Sequence, residues 1–357
     1  MSLLRNTLRP KVGTSASMAR SGASKRDPVV PPVRLLQGIG WGVCLAAGMA
    51  GAADAVNESR YPSRPVRLLV PFAPGGGNDF LARLVGQKLG EQMKQPFVVD
   101  NRPGAGGIIA TDLVAKSAPD GYTLLLGFIG PLAISPNLEK VPYDPVRDFA
   151  AASMLASIYH VLVATPSLQA RTVKELIALA QAKPGAISFA SAGYGTPPHL
   201  IGELLKSAMD VSLVHIPYKG ASPAAIALLS GEAHMLFASM SAVSQHVRAN
   251  RLLALAVTSP GRSTVFPEVP TLAEAGVNNV EVGAWYALVA PAATPLAVLA
   301  RLNAEMTKVA VTPDYRQQLT KQAFEPLAGN PKNFPAFVSA ELVKWGSAVK
   351  AGKVRLQ

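Results

Sequence analysis

The 357-residue chain is short of cysteine, of charge and of long apolar runs. Its one cysteine, Cys44, excludes a disulfide framework and any cysteine-based zinc site. Only 16% of residues are charged against 49% hydrophobic, which excludes the disordered class. Thirty Gly and thirty Pro without a G-x-y period exclude a collagen-like chain. The five histidines (His160, His199, His215, His234 and His246) show no H-E-x-x-H spacing, so no metal site is expected. Ser191 is not in a G-x-S-x-G elbow, because Phe189 stands where the first glycine would be. Beyond the N-terminal segment no stretch approaches 18 uninterrupted apolar residues, so the mature chain is expected to be soluble. No catalytic residue and no cofactor is expected.

Acidic residues are outnumbered, giving a net charge of +12. Residues 1–55 hold Arg5, Arg9, Lys11, Arg20, Lys25, Arg26 and Arg34 against Asp27 and Asp54, which leaves +7 for the remainder. With the excess gathered at one end, nucleic-acid binding is not expected. The basic region leads into an apolar run from Leu35 to about Ala50, then small residues ending in Ala53-Asp54-Ala55. That order is a secretory signal peptide, 1–55, and the alternative is a membrane anchor. A mature chain from about Val56 has no cysteine, which suits an oxidising compartment.

The remaining chain alternates strand and helix patterns. Val66–Pro71, Phe97–Asp100 and Thr123–Gly127 read as strands, with helices at 78–93 and 108–116. Their continuous apolar runs fit a parallel sheet covered on both faces. After one long extended stretch, Ala151–Thr165, the alternation restarts with strands near 186–190, 212–216, 234–237 and 252–258. A second extended stretch, Val282–Pro291, precedes helices at 296–309, 313–322 and 334–350. The expected fold is α/β: two doubly wound lobes joined by two crossover strands. The segments are 56–165 for the first part of lobe 1, 166–281 for lobe 2, and 282–357 returning to lobe 1.

Ligands in open α/β sheets bind beyond the carboxyl ends of the strands, where this chain places glycine loops. Loop one, Phe72 to Asp79, carries Gly75, Gly76, Gly77 and Asn78 ahead of a helix. A helix N-terminus attracts anions through free N–H groups and its dipole. No Lys-Ser/Thr follows the glycines, so this is not a Walker motif. Asp79 either complements the helix dipole or grips a ligand amine or hydroxyl. Loop two, Ser191, Gly193, Tyr194, Gly195, Thr196 and His199, repeats the design, with Thr196 as expected N-cap before Pro197. Lys219 in a third loop offers a cation, Phe128 and Ile129 offer a wall, and Ser239 with Ser241 offers hydroxyls.

These stretches resemble the Bug family, the periplasmic solute receptors of tripartite tricarboxylate transporters. The matching strings are YPSRPVRLLVPFAPGGGNDFLARL, VDNRPGAGG, APDGYTLLLG, VPYDPVRDF, SAGYGTPPHL, VHIPYKGASPA, LLALAVTSPGR, PEVPTLAEAG and PLAVLARLN, in this order from Tyr61 onward. The resemblance implies a type II periplasmic-binding-protein fold, and loops at Gly75–Asp79 and Ser191–Thr196 that grip a ligand carboxylate. It implies a monomeric, non-catalytic receptor delivering a small carboxylate to membrane permease subunits. A sensor of the same fold signalling to a two-component system, or a secreted α/β enzyme, are the alternatives. Asn78 stands where Thr or Ser is usual, and Met93-Lys94-Gln95-Pro96 replaces an L-G-Q-P turn.

Overall fold

Valine- and leucine-rich segments build two sheets in the computed structural model, which describes residues 61–327, 329, 333–352 and 354. The expected signal segment 1–55 and its cleavage site lie outside the described residues. The first sheet holds β1 (Val66–Val70), β2 (Phe97–Asn101), β3 (Thr123–Phe128), β4 (Phe149–Tyr159), β10 (Gly283–Pro291) and β11 (Phe324–Pro326), in the order β11-β4-β10-β3-β1-β2. The second holds β5 (Val161–Ala164), β6 (Ile187–Ser191), β7 (Leu213–Pro217), β8 (Met235–Ala238) and β9 (Leu253–Val257), in the order β7-β6-β8-β5-β9.

The three strands expected in a parallel sheet, β1 to β3, are parallel, while each sheet as a whole is mixed. β1 runs parallel to β2 and β3, and β6 to β7 and β8. The strands that enter from the other sheet run antiparallel: β10 to β3 and β4, and β5 to β8 and β9. In the first sheet β10 joins strands already laid down, whereas β5 opens the second sheet and the later β8 and β9 are laid against it. The apolar runs are continuous because both faces are covered. Along β5, Leu162 and Ala164 enter one buried cluster while Val161 and Val163 enter another, the period-2 alternation of a strand.

Helices fill the connections. α1 (Gly77–Met93) buries Leu81, Leu84, Val85, Leu89 and Met93, the face its 3.6-residue period predicts. α2 (Ile108–Ala115) follows β2, and α3 (Val173–Ala182) precedes β6. α4 (Pro197–Met209), α5 (Ala221–Ser230) and α6 (Met240–Arg248) follow β6, β7 and β8 in turn. α7 (Leu296–Ala310), α8 (Pro313–Thr320) and α9 (Phe334–Ala351) close the chain. Trp285 of β10 docks α9: its Nε1 donates to Glu341 Oε2 at 2.8 Å, an oxygen that also accepts from Trp345 Nε1 one turn on in α9 (2.8 Å). Among the described residues no helix is long and apolar enough to cross a membrane.

The stretch 151–165, expected as one extended run, is two strands in different sheets that meet at His160. The return path leaves β9 at Val257 and re-enters the first sheet at Gly283. Thr258 stitches the two paths together. Its N–H donates to His160 O (2.8 Å), its Oγ1 accepts from His160 N–H (2.9 Å), and its hydroxyl donates to Val282 O (3.1 Å). His160 is buried, and that burial pushes its imidazole down to about 4.

Candidate functional site

Loop one leaves β1 at Pro71 and becomes α1 at Gly77, one residue earlier than expected. The N–H groups of Gly77, Asn78 and Asp79 have no intrahelical acceptor at that position. Both carboxylate oxygens of Asp79 are engaged within the protein. It accepts from Gly75 N–H (3.0 Å), Arg83 Nε (2.9 Å) and Asn101 Nδ2 (3.1 Å). Burial alone would raise its pKa, but the hydrogen bonds from Arg83, Gly75 and Asn101 prevail and hold it below the usual carboxylate value. Asn101 Nδ2 also donates to Phe72 O at 2.9 Å, tying the loop to the end of β2. Asn78 Oδ1 is buried without a partner among the described residues.

Across from loop one lie the starts of α5 and α6, not that of α4. A Cβ on Gly76 would stand 3.3 Å from Ala221 Cβ, and one on Gly77 would stand 3.1 Å from Ser239 Oγ and 3.2 Å from Ser241 Oγ. Ser239 and Ser241 share a hydrogen bond of 3.0 Å. Ala73 N–H donates to Lys219 O at 3.1 Å, joining elements of the two sheets through main chain.

Loop two is tied differently. Ser191 Oγ accepts from Gly193 N–H (3.0 Å) and lies 2.6 Å from His215 Nε2. Thr196 occupies the N-cap position, but its side chain does not cap the helix: its hydroxyl donates back to Gly193 O at 2.6 Å. The next two residues, Pro197 and Pro198, carry no N–H. The start of α4 therefore presents a dipole with few donors, contrary to the expected pair of N–H clusters. Behind the loop His199 and His215 stack at 4.4 Å, Phe189 stacks on His215 at 4.7 Å, and Tyr194 stands edge-on to both imidazoles at 5.5 and 5.0 Å. Burial pushes His199 down to about 4 and His215 to about 3, with Lys206 adding to both, so the stack is neutral at pH 7.

Loop two faces the β2–α2 loop and the turn after β3. Gly106 (φ +59°) lies so close to Tyr194 O that any Cβ there would collide with it. Gly195 (φ +68°) leaves equally little room beside Ser135 Oγ, a buried hydroxyl without a partner among the described residues. Only glycine meets both requirements at these two positions.

Between these loops lies a cavity of about 420 Å³. One wall is Phe72, Gly104–Gly107 and Glu139, and the other is Ala192–Tyr194 and Pro217–Lys219. Of the residues expected at the site, Phe72, Gly193, Tyr194 and Lys219 line it. Gly75, Gly76, Gly77 and Asn78 do not line it: they lie at the start of α1, the three glycines against Ala221, Ser222, Ser239 and Ser241. Phe128 does not reach the cavity: it packs against Phe72 at 5.4 Å and Tyr286 at 5.2 Å, a brace behind the wall. Ile129 is fully buried in the core, and Ser191, Thr196 and His199 are buried beneath loop two. Sequence reasoning missed Gly104–Gly107, Glu139 and Tyr218 as lining and His215 as a support. The PGAGG string was legible as a loop, but the partnership of Ser191 with His215 needs the parallel pairing of β6 with β7. Among the described residues no cluster of three metal-ligating side chains occurs.

Residues 81–354 match the family described as tripartite tricarboxylate transporter family receptor. Protein BugT of Bordetella pertussis is 37% identical over 310 residues, covering 86% of this chain and 95% of its own. A structure of an R. palustris protein with adipate is 33% identical with TM-score 0.80, covering 83% of this chain and 99% of that one. The periplasmic binding protein BugD is 33% identical with TM-score 0.79, over 83% of this chain and all of its own. The chain belongs to the tripartite tricarboxylate transporter receptor family, whose members are periplasmic solute-binding proteins.

Proposed function

We propose that this chain is an exported receptor that closes two lobes on a small carboxylate and delivers it to the membrane subunits of a tripartite transporter. The lobes correspond to the two sheets and turn about the His160–Thr258 stitch. The observation that carries the reading is the 420 Å³ cavity, walled by loops that follow strands of both sheets and lined by glycines, aromatic residues and Lys219. Backbone N–H groups of the glycine loops and the ammonium of Lys219 supply the attraction for the carboxylate, at about 1.5–3 kcal/mol for each hydrogen bond to a charged acceptor. The adipate held by the R. palustris relative supports a carboxylate here. The basic–apolar–small pattern of residues 1–55 supports export, with cleavage after Ala55 and a monomeric mature chain. Neither catalysis nor nucleic-acid binding is part of this function.

The test is a thermal-shift panel of mono- and dicarboxylates, each with its neutral amide. An acid at 100 times its dissociation constant adds about 2.7 kcal/mol of stability. The reading requires at least one acid that stabilises the protein while its amide does not. A panel in which no acid raises the melting temperature refutes it.

A further inference from the structure

The cavity walls carry a pattern that the carboxylate reading does not require. Phe72, Tyr194 and Tyr218 bring three aromatic residues to one small space, and four of the nine other lining residues are glycine. Peptide planes and aromatic faces both favour a flat ring over a flexible chain. Tyr194 is braced from behind by the stacked His199 and His215, so its ring is already ordered before any ligand arrives. Burial keeps both imidazoles uncharged, leaving this part of the wall apolar. Charge on the wall is balanced as well. Among the described residues that line the cavity, Lys219 is the one cation and Glu139 the one anion, and they stand on opposite walls. A monoanion meets Lys219 without a second charge near Glu139, whereas a dianion brings two like charges together.

We infer that the ligand is an aromatic monocarboxylate whose ring lies against Tyr194 and Tyr218 and whose carboxylate faces Lys219. Tyr194 is then the residue that selects the ring. This inference rests on the receptor reading above and narrows it to one chemical class.

Calorimetric titration of the purified protein with benzoate, 4-hydroxybenzoate, terephthalate, adipate and malate tests it. The better of the two aromatic monoacids is expected to bind at least tenfold tighter than adipate, malate or terephthalate. Tyr194→Phe is expected to keep that ratio and Tyr194→Leu, which retains bulk but not the ring, to bring it near one. Adipate, malate or terephthalate binding as tightly as the aromatic monoacids overturns the inference and leaves the receptor reading standing. So does an unchanged ratio in Tyr194→Leu. Absence of binding by all five acids, confirmed in the wider panel, removes both. Should Tyr194→Leu fail to fold, Tyr218→Leu carries the same expectation from the neighbouring ring.

Discussion

Loops one and two share a design of strand, glycines and helix start, yet they are wired in opposite ways. Loop one is fixed by charge: Asp79 is held by Arg83, Asn101 and a backbone N–H. Loop two is fixed by neutral groups, Ser191, His215 and Thr196, around Gly193. They also meet the opposite lobe differently. The glycines of loop one face side chains, the methyl of Ala221 and the hydroxyls of Ser222, Ser239 and Ser241, whereas in loop two Gly193 and Tyr194 face the main chain of Gly106, and Gly195 faces the Ser135 hydroxyl. Hydroxyls swing aside and backbone does not, so the same string of glycines marks a tolerant contact in one loop and an intolerant one in the other.

The sharpest break in that comparison is a methyl group. Gly106→Ala collides with Tyr194 O and is expected to weaken binding of the best panel acid by 100-fold or more. Gly76→Ala has an extended backbone (φ −92°) and meets Ala221 at 3.3 Å and Ser222 Oγ at 3.8 Å, so a loss of a few-fold is expected. Gly231→Ala controls for left-handed strain alone, since its φ is +83° with nothing within 4 Å. Titration of all three decides the matter, and equal losses at 106 and 76 would erase the contrast between the loops.

Acid separates the two wirings next. His160, His199 and His215 have folded pKa values depressed to about 4, 4 and 3. Their stabilising contribution is complete above the unfolded value near 6.5. It declines as pH falls from there, because the unfolded chain takes up protons that the folded one refuses. The loss reaches on the order of 3 kcal/mol for His160 by pH 4. Asp79, with its lowered pKa, keeps its contribution down to the unfolded carboxylate value of about 3.9 and loses it as pH falls from there. Thermal melts from pH 7.5 to 3 should show two stages, with His215→Phe reducing the first and Asp79→Asn the second. A single stage common to all three proteins would contradict the opposed wiring.

Single side chains give the next effect. Ser191→Ala removes the buried partner of Gly193 N–H and His215, and about 1–3 kcal/mol of stability is expected to go with it. The smallest effect lies at the far ends of the two helices. Both α1 and α4 close on a non-glycine residue in left-handed conformation, Lys94 (φ 57°) and Asp210 (φ 48°). Glycine relieves such a residue of about 1 kcal/mol. Lys94→Gly and Asp210→Gly are each expected to raise the denaturation midpoint slightly and to leave binding unchanged.

Periodicity made the elements legible. The buried face of α1 and the positions of β6 to β9 follow from apolar spacing, because those segments are covered on known faces whatever lies beyond them. The break at His160 did not show, since both of its flanks are continuous apolar strands. Nor did the direction of β5 and β10, which depends on the sheet the chain has just left. At the site, Phe72, Gly193, Tyr194 and Lys219 were legible because they sit in glycine loops after strands. Glu139, Tyr218 and His215 owe their roles to neighbours distant in the chain, which spacing does not encode. The proline pair at 197 and 198 was in plain view, and its missing N–H groups were the available sign that α4 would not mirror α1.

The stitch at Thr258 sets what kind of machine this is. On the receptor reading proposed above, the two chain paths, tied by the Thr258 bonds and by the strand pairs β4–β10 and β5–β9 that flank them, act as one hinge with one angle free and sliding resisted. A joint of that kind turns the bulk of whatever lies between the lobes into a single number, the angle at which they stop. Any partner that touches both lobes at once then reads cargo as geometry, without touching the cargo itself.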